Sequence, residues 1–298
     1  MPLPSPRFLR FGLGLACAPL IFAHDVDQSQ LVAEMAQKAD TLLESLSEEK
    51  REAASLPFAD DERVNFHYVP LDRQGALYKD MTAVQRSNTL QLLHTALSDS
   101  GSMKAVQIMQ LEAVLAEIEN DPERRDPEKY WIAIFGTPGE LPWGWRFEGH
   151  HLSVNQTITE HGISGTPLFF GANPGKILDG PQIGKRVLAD AEDRGRKFVL
   201  SLSPKQQERA IIANKAIREI KTGQHSLVEP LPDEGIAFTA LNEEQQRSLE
   251  YLVRHYLNRH EAEISEAARQ RIAAHGWQNL TFAWAGPTDI GKGHYYRI

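Results

Sequence analysis

In the stretch WGWRFEGHHLSVNQTI, residues 143–158, Glu148 and His150 stand two positions apart, with Arg146 before them and His151 and Asn155 after. In an extended chain alternate side chains share a face. Arg146, Glu148, His150, Leu152 and Val154 then point one way, and Phe147, His151, Ser153 and Asn155 the other. A carboxylate and an imidazole on one face supply two ligands for a divalent metal such as zinc, or a general base with its orienting carboxylate. His151 joins the same centre only if Gly149 opens a bulge. A third metal ligand must come from elsewhere: His294 in GKGHYY, His161 or His67, among which spacing does not choose. Neither H-E-x-x-H nor a cysteine-based zinc spacing is present. The structural alternative stays open, with Arg146 and Glu148 ion-paired on a sheet face and the histidines bonded to nearby oxygens.

Around this centre stand Trp143 and Trp145, with Trp131, Trp277 and Trp284 elsewhere, which line a carbohydrate or aromatic-ligand cleft or else fill the core. FFGANPGK, residues 169–176, places Gly171, Asn173 and Gly175 beside Lys176, as an anion nest or a structured turn. His255 and His260 are five apart on a helical stretch, point away from each other and are not a ligand pair.

The elements that must position these residues follow from periodicity. Leu31, Met35, Ala39, Leu42 and Leu46 fall at steps of three and four, an amphipathic helix over 26–46. VNFHYVP, residues 64–70, alternates with period two and predicts a short half-buried strand ended by Pro70. Thr82 with Gln85, Ser203 with Gln206 and Asn242 with Gln245 are capping-box pairs, read as helix starts and not as domain repeats. Helices are expected over about 82–97, 103–118, 182–200, 204–221 and 242–274, the last with a break. Strand signals lie at 130–136, 143–158, 166–172, 279–286 and the terminal HYYRI. Helices, strands, helices, strands without regular alternation predict an α+β fold, a mostly antiparallel sheet with helices packed on it in a single domain.

The chain has 298 residues, 41% apolar and 24% charged, enough to bury a substantial core. Arg7 and Arg10 precede an apolar run from Phe11 to Phe22, too short to span a membrane, so residues 1–23 read as a signal peptide cleaved after Ala23. The expectation is an exported protein, periplasmic or extracellular, with no integral membrane segment in the mature chain. Cleavage there makes His24 the first residue, whose amine and imidazole together suit copper. Cys17, the one cysteine, lies in the leader, so the mature chain is expected to have no disulfide. The net charge of -8 disfavours nucleic acid as a partner.

RDPEKYWIAIFGTPGELPWGWRFEGHHLSVNQTI, followed by PLFFGANPG and GKRVLADAEDRGRKFVLSL, resembles the domain-of-unknown-function family numbered 3500 from about residue 30 to the end. The resemblance implies export and supplies no reaction. It also implies a further strand and a His-x-His element beyond the segment matching GHYYRI, so this chain reads as a shortened form.

Two functions fit these residues. In the first, an exported metal-dependent hydrolase uses Glu148 and Arg146 for catalysis, His150, His151 and His294 for the metal, and Asn155 to hold a polar substrate. In the second, a non-catalytic extracytoplasmic protein binds a small molecule or polar polymer such as a carbohydrate through Trp143 and Trp145.

Overall fold

The computed structural model describes residues 26–225 and 228–298, so the leader and His24 lie outside the described residues. The chain begins with α1 (Ser29–Ser45), α2 (Glu48–Ala54), β1 (Ser55–Leu56), β2 (Ala76–Leu77), α3 (Ala83–Ala96) and α4 (Asp99–Glu119). Next come β3 (Tyr130–Phe135), β4 (Trp143–Gly149), β5 (Leu152–Thr159), β6 (Gly162–Ser164) and β7 (Leu168–Phe170). The second part comprises α5 (Ala189–Ser201), α6 (Pro204–Ala210), β8 (Ile211–Ala213), β9 (Ile236–Ala237), α7 (Glu243–Leu257), α8 (Ala262–His275), β10 (Thr281–Ala285) and β11 (Tyr295–Arg297). This is an α+β fold.

Strands β1 to β7 form a seven-stranded sheet, and β8 to β11 a four-stranded one. Both are mixed: most pairings are antiparallel, but β1 runs parallel to β3 and β8 parallel to β10. Cross-strand partners share a face, so Ile132, Phe147 and Val154 stand in one row and Ile134, Trp145 and Gln156 in the next. This face packs against Leu31, Met35, Ala39 and Leu42 of α1, Leu92 of α3 and Ile108 of α4 in one core. Burying each such large aliphatic side chain contributes roughly 1.5–3 kcal/mol. The second core gathers Phe198, Leu249, Leu252, Phe282 and Trp284.

The capping boxes do open helices, and beyond that the two parts share one scheme of strand pairing, to which the first part adds β5, β6 and β7. Strand β1 pairs with β3 as β8 pairs with β10, and β2 crosses the other end of β3 as β9 crosses β10. Gly75 and Gly235 take positive φ immediately before β2 and β9, where a β-carbon would collide with the carbonyls of Ile132 and Phe282. Polar ties repeat as well. Gln85 donates to the carbonyl of Ser45 at 2.7 Å and Gln245 to that of Ser201 at 3.1 Å. Arg51 donates to the carbonyls of Leu43 and Leu46, and Gln207 to those of Val199 and Leu202. The α3–α4 and α7–α8 corners correspond and touch: Ser98 N–H donates to the carbonyl of Arg259 at 3.1 Å, and Glu261 N–H to that of Ala96 at 3.0 Å.

Three expected elements differ. VNFHYVP is no strand: Asp61–Val64 is a 3-10 turn, and the residues after it cross over the sheet without joining a ladder. Helix α5 starts at Ala189 rather than near Gln182, because residues 177–185 close a loop in which Ile177 and Gly184 exchange backbone bonds with Lys185 and Ile177. Helix α6 stops at Ala210, where β-branched Ile211 and Ile212 leave the helix and Ile211 and Ala213 pair with β10.

Candidate functional site

Gly149 faces Leu152 across β4 and β5, so His150 and His151 are the two residues of a hairpin turn and not positions within one strand. The turn resets the alternation assumed from the sequence. Arg146 pairs with Asn155 and Glu148 with Ser153, which gathers these four on one face, while His150 leaves toward the helices on the other. Glu148 and His150 therefore diverge. Gly149 is required by close approach, since a β-carbon there would overlap the Tyr130 ring.

On the open side of the sheet, residues 60–73 fold over the polar row. Glu148 is fully buried and both its oxygens are occupied: Arg73 Nε donates at 2.8 Å, Ser153 Oγ at 2.7 Å and the His67 N–H at 3.2 Å. Arg146 pairs with Glu62 and donates to the carbonyls of Glu62 and Asn65 at 2.7 and 2.9 Å. Asn155 donates to Ser153 Oγ and to the carbonyl of Pro167. Four alternating charges, Glu62, Arg146, Glu148 and Arg73, thus neutralise one another beneath a covering segment, as buried ions must. Satisfied and sealed, Glu148, Arg146 and Asn155 are placed to clamp that segment to the sheet.

The tip of the hairpin is different. Glu112, buried on α4, accepts from His150 Nδ1 at 2.5 Å, a short charge-assisted bond. Arg125 lies alongside, its Nη1 3.2 Å from His150 Nδ1, and is gripped through Nε and Nη2 by Glu119 at 2.8 and 2.9 Å. The Glu119 hydrogen bond and neighbouring carboxylates raise the Arg125 pKa against the effect of burial. Tyr130 Oη donates to the carbonyl of His150 at 2.8 Å, and burial raises its own pKa well above the usual phenol range. His150 Nε2 has no hydrogen-bond partner among the described residues, and the side chain is 9% exposed.

His151 takes φ 60°, a left-handed conformation uncommon for a residue with a β-carbon. It is held there by Tyr68, whose carbonyl accepts the His151 N–H at 2.9 Å, and by the Gly171 N–H, which donates to the His151 carbonyl at 2.7 Å. Its ring stacks on His150 with centroids 3.9 Å apart and planes 28° from parallel. Burial first, then the neighbouring His150 and Arg125, lowers its pKa to about 4, so it is neutral at neutral pH. Each imidazole lone pair lies in its own ring plane, and planes stacked at this separation do not meet within metal–nitrogen distance of both rings, so the two imidazoles do not close on one ion.

His294 lies on the other sheet, stacked on Trp284 at 4.7 Å, and meets Arg196 and the carbonyl of Lys292. His161 is exposed beside Glu160, and His67 bonds Gln224. Among the described residues no three His, Cys, Asp or Glu side chains are grouped to hold a metal. Trp143 and Trp145 are 0% and 1% exposed and belong to the core, so they line no cleft. The residue missed from sequence is Glu112, an acid on the buried stripe of α4 between Ile108 and Leu115, where an apolar residue is the norm.

Fold and site together define an α+β protein with two sheets of related pairing, the first carrying a histidine-tipped hairpin held by a helix-borne carboxylate. The chain belongs to the family described as "Protein of unknown function (DUF3500)", whose model matches residues 28–298. No curated protein and no solved structure matches it.

Proposed function

We propose that this is a hydrolytic enzyme in which His150, oriented by Glu112, takes a proton from water or a substrate hydroxyl through Nε2. The observation that supports this reading is the 2.5 Å bond from Nδ1 to a buried carboxylate of another element, which leaves Nε2 as the ring's one free nitrogen. A carboxylate placed in this way fixes both the tautomer and the orientation of a general base. Arg125, paired with Glu119, steadies the Nδ1 side of the ring and is already neutralised by the two carboxylates. The pair replaces Glu148 and Arg146 as the catalytic residues, and needs no metal to act as a base. Trp143 and Trp145, being core residues, give the carbohydrate-binding alternative no support.

The test is hydrolysis of p-nitrophenyl esters, phosphates and glycosides by the purified protein. His150→Gln is expected to lower the rate on the accepted substrate by about 10²–10⁴-fold, and Glu112→Gln to lower it less. A rate unaltered in His150→Gln rejects the reading. We further propose that the protein is exported, with mature protein from the periplasm or medium beginning at His24 on N-terminal sequencing. A mature chain that retains Met1 contradicts this.

A further inference from the structure

Four arginines are buried among the described residues, Arg125, Arg146, Arg196 and Arg259, and the side chain of a fifth, Arg73, is covered as well; in the order Arg73, Arg125, Arg146, Arg196 and Arg259 they divide as follows. The first four each meet a carboxylate, Glu148, Glu119, Glu62 and Glu192 respectively. Arg259 meets none, although it is only 7% exposed. Its guanidinium lies over the rings of Tyr256 at 4.6 Å and Phe170 at 5.3 Å, and its Nε is sealed from solvent without a hydrogen-bond partner. Burial lowers its pKa. A largely desolvated cation without a counter-ion is costly, and aromatic faces recover only part of that cost.

The surroundings are positive rather than compensating. His255, in the last turn of α7 and four residues before Arg259, also has a sealed and unpartnered Nε2. Its pKa falls to about 4 through burial first, then through the charges of Arg259, Arg194 and Lys104 against the one acid Asp190. Gly101 lets α4 press on the Arg259 backbone, since a β-carbon there would overlap the Arg259 carbonyl oxygen, and Lys104 follows one turn along. Lys104 meets Asp190 only at 3.7 Å. In a chain of net charge -8, a local excess of buried cation and unsatisfied donors runs against the general trend.

We propose that Arg259 is the anchor of a binding site for an oxyanion group, a phosphate or carboxylate, at the junction of α4, β7 and α7. Tyr256 and Phe170 hold the guanidinium plane, and His255 and Lys104 supply further donors. The site is separate from the Glu112–His150 pair and stands or falls independently of it.

The test is a titration with inorganic phosphate, and separately with acetate, at constant ionic strength set with chloride, followed by melting temperature and by isothermal calorimetry. The wild-type melting temperature is expected to rise by about 2–3 °C at tenfold the Kd of the better anion. Arg259→Gln should abolish that rise, while melting in chloride alone no lower than wild type because an unpaired buried charge has been removed. Arg271→Gln, an exposed control, should keep the rise. A response that is absent from the wild type, or equal in wild type and Arg259→Gln, overturns the proposal. Should Arg259→Gln fail to fold, Arg259→Lys is expected to weaken calorimetric affinity at least tenfold by losing the planar fork, and unchanged affinity overturns it.

Discussion

His150 and Glu148 are two residues apart in the chain and on opposite faces of the sheet, because a turn lies between them. Their consequences on mutation should therefore separate. Glu148→Gln removes the charge that Arg73 and Arg146 share in a sealed network, and is expected to cost about 3–5 kcal/mol of stability in denaturant unfolding, with little loss of turnover in what remains folded. Glu112→Gln should show the converse, a small stability loss with a larger rate loss. Gly149→Ala drives a β-carbon into the Tyr130 ring and is expected to cost about 1–3 kcal/mol in the same unfolding assay. Equal stability of Gly149→Ala and wild type would mean that the ring has room to shift. The composition of this site was legible in the sequence, but its facing was not. A His-His turn carries none of the Asn-Gly or Asp-Gly chemistry that marks a two-residue hairpin, so alternation was carried straight through it. Glu112 left one signal, an acid inside an apolar helical stripe.

At the scale of elements, three capping boxes were readable because they rest on local hydrogen bonds: Thr82 with Gln85, Ser203 with Gln206 and Asn242 with Gln245 all form. Thr82→Ala and Asn242→Ala occupy equivalent positions in the two parts, so each is expected to cost about 1 kcal/mol in thermal unfolding. A large loss at one position with none at the other contradicts their equivalence. The shared pairing scheme escaped notice because what it conserves is geometry. Ile134 of β3 corresponds to Trp284 of β10, and Trp145 of β4 to Tyr296 of β11, so the same ladder positions carry different side chains. The signals that were available were Ser-Leu-Ser before both α2 and α6, and a glycine before both β2 and β9. VNFHYVP misled for a different reason. Its alternation is that of a covering segment, in which Phe66 and Tyr68 pack on Phe169 while the His67 N–H caps Glu148.

For the whole molecule, three histidines contribute to the loss of stability in acid. His151, His255 and His260 each have a pKa lowered to about 4, chiefly by burial. A base kept neutral in the native state binds its proton preferentially when the chain unfolds. Stability is therefore full above the ordinary imidazole value near 6.5 and declines as pH falls from there toward 4. The slope for one fully coupled histidine is at most about 1.4 kcal/mol per pH unit. For His260, 8% exposed, the expectation is a melting temperature that drops between pH 7 and pH 5, with a shallower drop in His260→Gln. A melting temperature flat across that interval contradicts it. Among the described residues no helix is long and apolar enough to cross a membrane, and the two cores must stabilise the fold.

In the proposed base, Glu112 holds the His150 proton on Nδ1 and leaves Nε2 free to accept one. The direct measurement is a long-range proton–nitrogen NMR correlation of the His150 ring in its neutral form, which distinguishes the two tautomers without any substrate. The account predicts a protonated Nδ1 and an unprotonated Nε2. The opposite tautomer, with Nε2 carrying the proton and Nδ1 accepting from Arg125, would contradict it.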